Sequence, residues 1–254
     1  LLQSLETLAA QLPADPSDLL FDRIIVNIVN LQANAHPGVE HVVINSMAQK
    51  EMARQCSRSA AMIPNVLDYE TPAPGIDGYN RDQRREFGLA EMDWLILQPT
   101  RVVARKGIEH AIELVRRLND PRANLVISHP AGDEGNDYIK LMRDRIEDAK
   151  IDVRFIAERV GQHRGTTDDG KIYTLFDLYT HADLVTYPSH YEGFGNAFRE
   201  AIYFRKPVFV STYAVYARDI DPLGFKTIEM SQLVMREVVD QTREVLTNAQ
   251  PFSF

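Results

Sequence analysis

From residue 93 onward, short continuous apolar runs alternate with segments of helical period. The runs WLILQ (94–98), NLVIS (124–128), VRFIA (153–157), LVTYP (184–188), PVFVS (207–211) and FKTIEM (225–230) read as strands. Being almost wholly apolar rather than alternating, they fit strands covered on both faces. Between them lie predicted helices over 107–118, 136–149 and 172–181. In the first of these, Ile108, Ala111, Ile112 and Val115 recur at three- and four-residue steps. Strands alternating with helices of this length predict an α/β fold, a Rossmann-like doubly wound parallel sheet. Ligands on such sheets bind beyond the carboxyl ends of the strands, so the loops after Leu97, Ile127, Ile156 and Tyr187 are where chemistry is expected.

Ahead of this region the pattern is less regular. Residues 1–12 read as an amphipathic helix, Pro13 and Pro16 break it, and a second apolar stretch ends at His36-Pro37-Gly38. A short buried strand over 42–45 and a helix over 47–56 follow. Pro64, Pro72 and Pro74 then fall in a stretch without periodicity, which marks a hinge. The expected division is a partial first domain (1–63), a crossover (64–92) and a Rossmann-like domain (93–254).

The most informative stretch is YPSHYEGFGNAFREAIYFRKPVFVS, 187–211. It reads as strand, loop, helix and strand, with Gly193 and Gly195 at the helix entrance. Glycine there lets backbone approach a ligand, and the first helical turn offers unpaired N–H donors with a positive dipole end, which suits a phosphate. Glu192 and Glu200 are eight apart with Asn196 between them, which on a helix at ~100° per residue would set them within about a quarter-turn of one another, and Phe194, Phe198, Ala201 and Ile202 form the neighbouring apolar stripe. Carboxylates are poor phosphate ligands but good acceptors for sugar hydroxyls. A helix carrying solvated glutamates behind a glycine-relieved entrance is the alternative from spacing alone. The loop after the 94–98 strand, PTRVVARKG, carries Arg101, Arg105 and Lys106, cations able to offset an anionic ligand, with Arg105 adding charge but given no contact of its own.

Composition narrows the classes. A net charge of -8 argues against a nucleic-acid partner. Cys56 is the single cysteine, so no internal disulfide framework exists and a reducing compartment is expected. No apolar run is long enough to span a bilayer, and the first residues lack signal-peptide features, so a cytoplasmic location is expected. His129, Asp133 and Glu134 invite a metal but lack a converging spacing; the expectation is a loop rimming the cleft and no metal or other cofactor. His163 and Arg164 sit in a polar loop over 158–170, and His190 is a candidate sugar contact.

The segment EGFGNAFREA (192–201) resembles the Glu-x7-Glu motif of the retaining glycosyltransferases of family 4, the glycosyl transferases group 1. The likeness runs from about 42 to 229, with IPNVLD resembling the interdomain crossover and Arg101…Lys106 the GR…KG loop. It implies a GT-B fold, most of it the C-terminal donor-binding domain. It also implies transfer of a sugar from a nucleotide diphosphate sugar to an acceptor hydroxyl with retention. Arg101, Lys106 and Glu192 then stand as catalytic residues, and Phe194, Gly195, Asn196 and Glu200 as donor-binding ones, Glu200 at the ribose. Thr100 and Arg205 stand where the family usually has glycine, and STYAVYARDI (211–220) lacks the usual Gly-Gly, with Asp219 a possible stand-in for the glutamate that follows. The other readings are a nucleotide-sugar epimerase or hydrolase on the same scaffold, and a non-catalytic nucleotide-sugar-binding fragment.

Overall fold

The computed structural model describes residues 26–27, 41–57, 59–131 and 137–248. The helix expected over 1–12, His36, Asp133 and Glu134 lie outside these. The chain divides into two compact units, Leu1–Val66 and Leu67–Phe254.

In the first unit, β1 (Val26–Asn27), β2 (His41–Val43) and β3 (Ala60–Met62) form a parallel sheet in that order. Helix α1 (Ser46–Cys56) crosses from β2 to β3. It is capped by Asn45, whose side chain accepts from the Ala48 N–H at 2.8 Å. Its core is small: Val43, Met52 and Ala60, with Ala48 against them.

The second unit carries α2 (Gln83–Glu86), then β4 (Trp94–Gln98), α3 (Ile108–Leu118), β5 (Ala123–Ile127), α4 (Asp137–Ala149) and β6 (Val153–Phe155). A hairpin, β7 (Gly165–Thr167) with β8 (Gly170–Ile172), leads to α5 (Leu175–His181), β9 (Leu184–Tyr187) and α6 (Asn196–Tyr203). β10 (Val208–Ser211), β11 (Ile228–Met230) and α7 (Arg236–Thr247) complete it. Six strands form one sheet ordered β11-β10-β9-β4-β5-β6, every neighbouring pair parallel.

The continuous apolar runs are explained by burial on both faces. All five residues of β4 are buried; Leu95 and Leu97 point into one core and Trp94 and Ile96 into the other. The first core also takes residues of α5 and α6 (Leu178, Phe198, Ala201), and the second takes residues of α3, α4 and α7 (Ile112, Met142, Val239). Helices therefore cover both sides, as parallel sheets require.

One detail differs from the pattern expected from sequence. The helix expected over 172–181 starts at Leu175, because Gly170–Ile172 pairs in a hairpin and Thr174 with Asp177 forms a reciprocal capping box. The segment before β11 is a short π-helical turn over Tyr216–Ile220 followed by a 3-10 turn, Asp221–Leu223. Arg205, the residue standing where glycine is usual, has φ 53°, in the left-handed region. The backbone shape that favours glycine is thus kept without it.

Candidate active site

Strand β4 begins the sheet; β5 and β6 extend it one way, and β9, β10 and β11 the other. The loops leaving β4 and β9 consequently part at their carboxyl ends, which makes the crevice where open α/β sheets bind ligands. Just beneath it lies a buried polar bridge: Thr186 Oγ1 donates to Gln98 Oε1 at 2.7 Å, and Gln98 Nε2 donates to Thr100 Oγ1 at 2.7 Å. Thr100, also a departure from the family pattern, is buried and hydrogen-bonded here.

At the crevice the two loops meet through charge. Lys106 Nζ donates to Glu192 Oε1, and Arg105 Nη1 donates to the same oxygen at 3.0 Å. The Lys106 and Glu192 side chains are only 12% and 11% exposed, so this pair is far from a solvated surface bridge. Burial pushes the Lys106 ammonium below the usual lysine range; Glu192 opposes that shift, and Arg105 and Arg101 add to it. Arg101 is exposed in the same loop, near enough for its charge to bear on both Lys106 and His129.

Backbone contact locks the loops together. Gly107 has φ 62°, and a Cβ on it would lie 2.2 Å from the Pro188 carbonyl oxygen. Next to it, the His190 N–H donates to the Arg105 carbonyl at 2.9 Å. Gly195, at φ 99°, sits over Tyr187, whose hydroxyl would be 2.5 Å from an added Cβ. Glycine is required at both places by close approach as well as by backbone angle.

Gly195 caps α6, with Asn196 exposed at its first turn. Asn196 Oδ1 accepts from Arg199 Nη2 at 2.6 Å, and the Phe194 carbonyl accepts from the Tyr213 hydroxyl at 3.2 Å. Phe198 and Ala201 are buried, with Phe194 and Ile202 packed against the same core, so the apolar stripe expected from spacing exists. Glu200 is half-buried on α6; burial raises its carboxyl above the ordinary value, with the Tyr179 hydroxyl and the Arg199 charge pulling the other way.

The helical-face relation expected between Glu192 and Glu200 does not hold, because α6 begins only at Asn196 and Glu192 lies in the loop before it. Arg105, given no contact from sequence, binds Glu192. Its signal was its place beside Lys106 in a cationic loop, which does not say which of three bases turns inward. His190 turns to Glu109, its Nε2 3.2 Å from Oε1. Arg164 pairs with Asp177 and Asp77 and so braces the fold. His129 Nδ1 lies 2.7 Å from Ser128 Oγ and lines a cavity of about 570 Å³ beyond β5 and β6. Val160, Gly161, Gln162 and Phe176 form its other walls.

Among the described residues no helix is long and apolar enough to cross a membrane. Residues 80–222 match the family described as Glycosyl transferases group 1. The chain is 32% identical over 209 residues to a mannosylglucosylglycerate synthase of Petrotoga mobilis, covering 76% of this chain and 48% of that protein. A Thermotoga maritima protein of the same description is 30% identical over 216 residues, covering 79% and 48%. The chain thus spans about half the length of the curated relatives it matches. Among solved structures, Anabaena HepE in complex with UDP and glucose superposes with a TM-score of 0.65 at 16% identity, covering 84% of this chain and 55% of that one. The lipopolysaccharide glycosyltransferase WaaG gives 0.62 at 16%, covering 85% and 56%. At these identities the structures speak for the fold, which is that of GT-B glycosyltransferases. With residues 80–222, more than half of the chain and including the crevice loops and α6, matched by the family, the chain belongs to the glycosyl transferases group 1 family.

Proposed function

We propose that this chain is the donor-binding half of a retaining glycosyltransferase. In this reading it holds a nucleotide diphosphate sugar while a sugar passes to an acceptor hydroxyl. The observation that carries the reading is the partly buried cluster of Lys106, Arg105 and Glu192 where the β4 and β9 loops part. Cations and a carboxylate there match a donor that presents an anionic diphosphate next to neutral hydroxyls.

The chemistry follows from charge. The bond between the sugar's anomeric carbon and the diphosphate oxygen breaks, and the electron pair leaves with the diphosphate. Lys106, Arg105 and Arg101 stabilise that developing charge together with the N–H groups of Gly195 and Asn196 at the head of α6. Glu192 accepts from the sugar hydroxyls and faces the oxocarbenium-like centre. Glu200 accepts from the ribose hydroxyls. The acceptor oxygen bonds to the anomeric carbon, and its proton passes to the oxygen of the departing diphosphate. The cavity beside His129 and Gln162 is of a size for a nucleobase. The UDP and UDP-glucose complexes of HepE support a nucleotide-sugar donor here, and the name of the curated relatives, mannosylglucosylglycerate synthase, supports formation of a glycoside.

Calorimetric titration of UDP-, GDP- and ADP-sugars into the protein, with Glu200→Ala and Lys106→Ala alongside, tests the proposal. One nucleotide bound tightly and weakened in both variants supports it. Failure of a folded full-length protein to bind any of them refutes it.

A further inference from the structure

One constellation beside the crevice has no part in the reaction above. Glu109 and His110 occupy the first turn of α3, and His190 reaches them from the loop after β9. One carboxylate oxygen and one nitrogen from each imidazole all lie within 4.8 Å of one another. We propose that Glu109, His110 and His190 form a binding site for one transition-metal ion of the zinc class.

The donor set fits that class. Two imidazole nitrogens and one carboxylate oxygen suit Zn²⁺, Ni²⁺ or Co²⁺ rather than Mg²⁺, which takes oxygen ligands. Tetrahedral Zn²⁺ with bonds of ~2.0–2.1 Å sets its donors roughly 3.4 Å apart, so the site closes by small side-chain rotations. Glu109 Oε1 and His190 Nε2 already stand at 3.2 Å. The His110 and His190 rings are 5.4 Å apart, edge to face.

A supporting layer is also present. Tyr138, from α4, donates its hydroxyl hydrogen to Glu109 Oε2, and the Ile108 N–H donates to the Tyr138 oxygen at 3.0 Å. That leaves Oε1 facing the histidines and fixes the carboxylate, the kind of outer support that metal-ligating carboxylates have. Glu113, one turn along α3, favours a cation here, and Arg145 opposes it. Three protein ligands leave one coordination position for water.

The site's place gives it a consequence. His190 is two residues before Glu192, and its backbone N–H is bonded to Arg105. A bound ion would clasp the β9 loop to α3 and so hold the segment that carries Glu192 against Lys106.

The test is zinc titration of chelator-treated, desalted protein by calorimetry, with cobalt substitution followed by visible absorption. The expected result is one ion per chain and a four-coordinate cobalt spectrum. Affinity should fall at least about tenfold in His190→Ala and in His110→Ala, and stay unchanged in His163→Ala. His190 is exposed, so its truncation leaves the fold intact and that variant is the decisive one. No uptake by the wild-type chain, or uptake that His190→Ala leaves unaltered, overturns the proposal. The experiment needs no nucleotide, so its outcome is independent of the donor-site reading.

Discussion

Lys106 and Glu192, 86 positions apart in the chain, share a partly buried ion pair between the loops that follow β4 and β9. Removing either partner leaves the other charge with less compensation in a poorly hydrated place. The two removals should nonetheless differ in their effect on an anionic ligand. Lys106→Ala deletes a cation and should weaken nucleoside diphosphate binding roughly ten- to a hundredfold, the range for a charged hydrogen bond. Glu192→Gln frees the same cation and should bind the bare diphosphate no more weakly than the wild-type chain, while losing sugar transfer. Equal weakening in both variants, measured by calorimetry, would show that the pair does not face the diphosphate.

Alanine in place of three positive-φ glycines should separate backbone strain from steric contact. Gly224, at φ 79° with nothing within 4 Å of an added Cβ, should cost about 1 kcal/mol, seen as a fall of a few degrees in melting temperature. Gly107→Ala meets a backbone oxygen that has no freedom to turn aside and should cost at least about 2 kcal/mol more. Gly195→Ala should fall between, because a tyrosine ring can tilt. Thermal melts that rank the three otherwise would contradict the described packing.

Acid should weaken the fold through particular carboxylates. Hydrogen bonds from Arg116 and Arg117 hold Glu113 at about 2, and Arg122 holds Asp120 at about 2. For Asp177, burial works the other way but is outweighed by Arg164, Thr174 and Asn80, which keep its carboxyl below the ordinary value. Each of these groups binds its proton less readily folded than unfolded. The stability they confer is therefore complete above the ordinary carboxylate range and drains away as the pH drops from about 4 toward about 2. Urea midpoints across that interval should fall steadily, and less steeply in Glu113→Gln.

Glu200 runs in the opposite sense. Burial raises its carboxyl, so it takes up a proton at a higher pH than an ordinary glutamate. Only the ionised form is a pure acceptor for two ribose hydroxyls. Nucleotide affinity should accordingly decline on acidification before ordinary glutamates protonate, and the decline should be absent from the weaker-binding Glu200→Gln. A profile unchanged by that substitution would remove Glu200 from the ribose.

The sheet could be read from the sequence because its strands are short, mostly apolar runs without alternation: Trp94, Leu95, Ile96 and Leu97 fill two cores, and the helical segments between the runs mark them as strands of a parallel sheet. The start of α5 could not, because a hairpin residue such as Ile172 is as apolar as a helical one and the decision rests on the Thr174 cap. The cationic loop and the Glu-x7-Glu spacing pointed to the crevice. What spacing cannot carry is side-chain direction. It put Glu192 on a helix that begins four residues later, and it named Arg105 only as one of three loop cations, because its inward turn depends on a loop from a distant strand.

The meeting of Gly107 with Pro188 has a mechanical meaning. Two peptide segments touch with no side chain between them, and the hydrogen bond from His190 to Arg105 rivets them again nearby. The two lips of the crevice are in effect a single plate. Separating the two loops would break that seam, so a displacement of one is passed directly to the other.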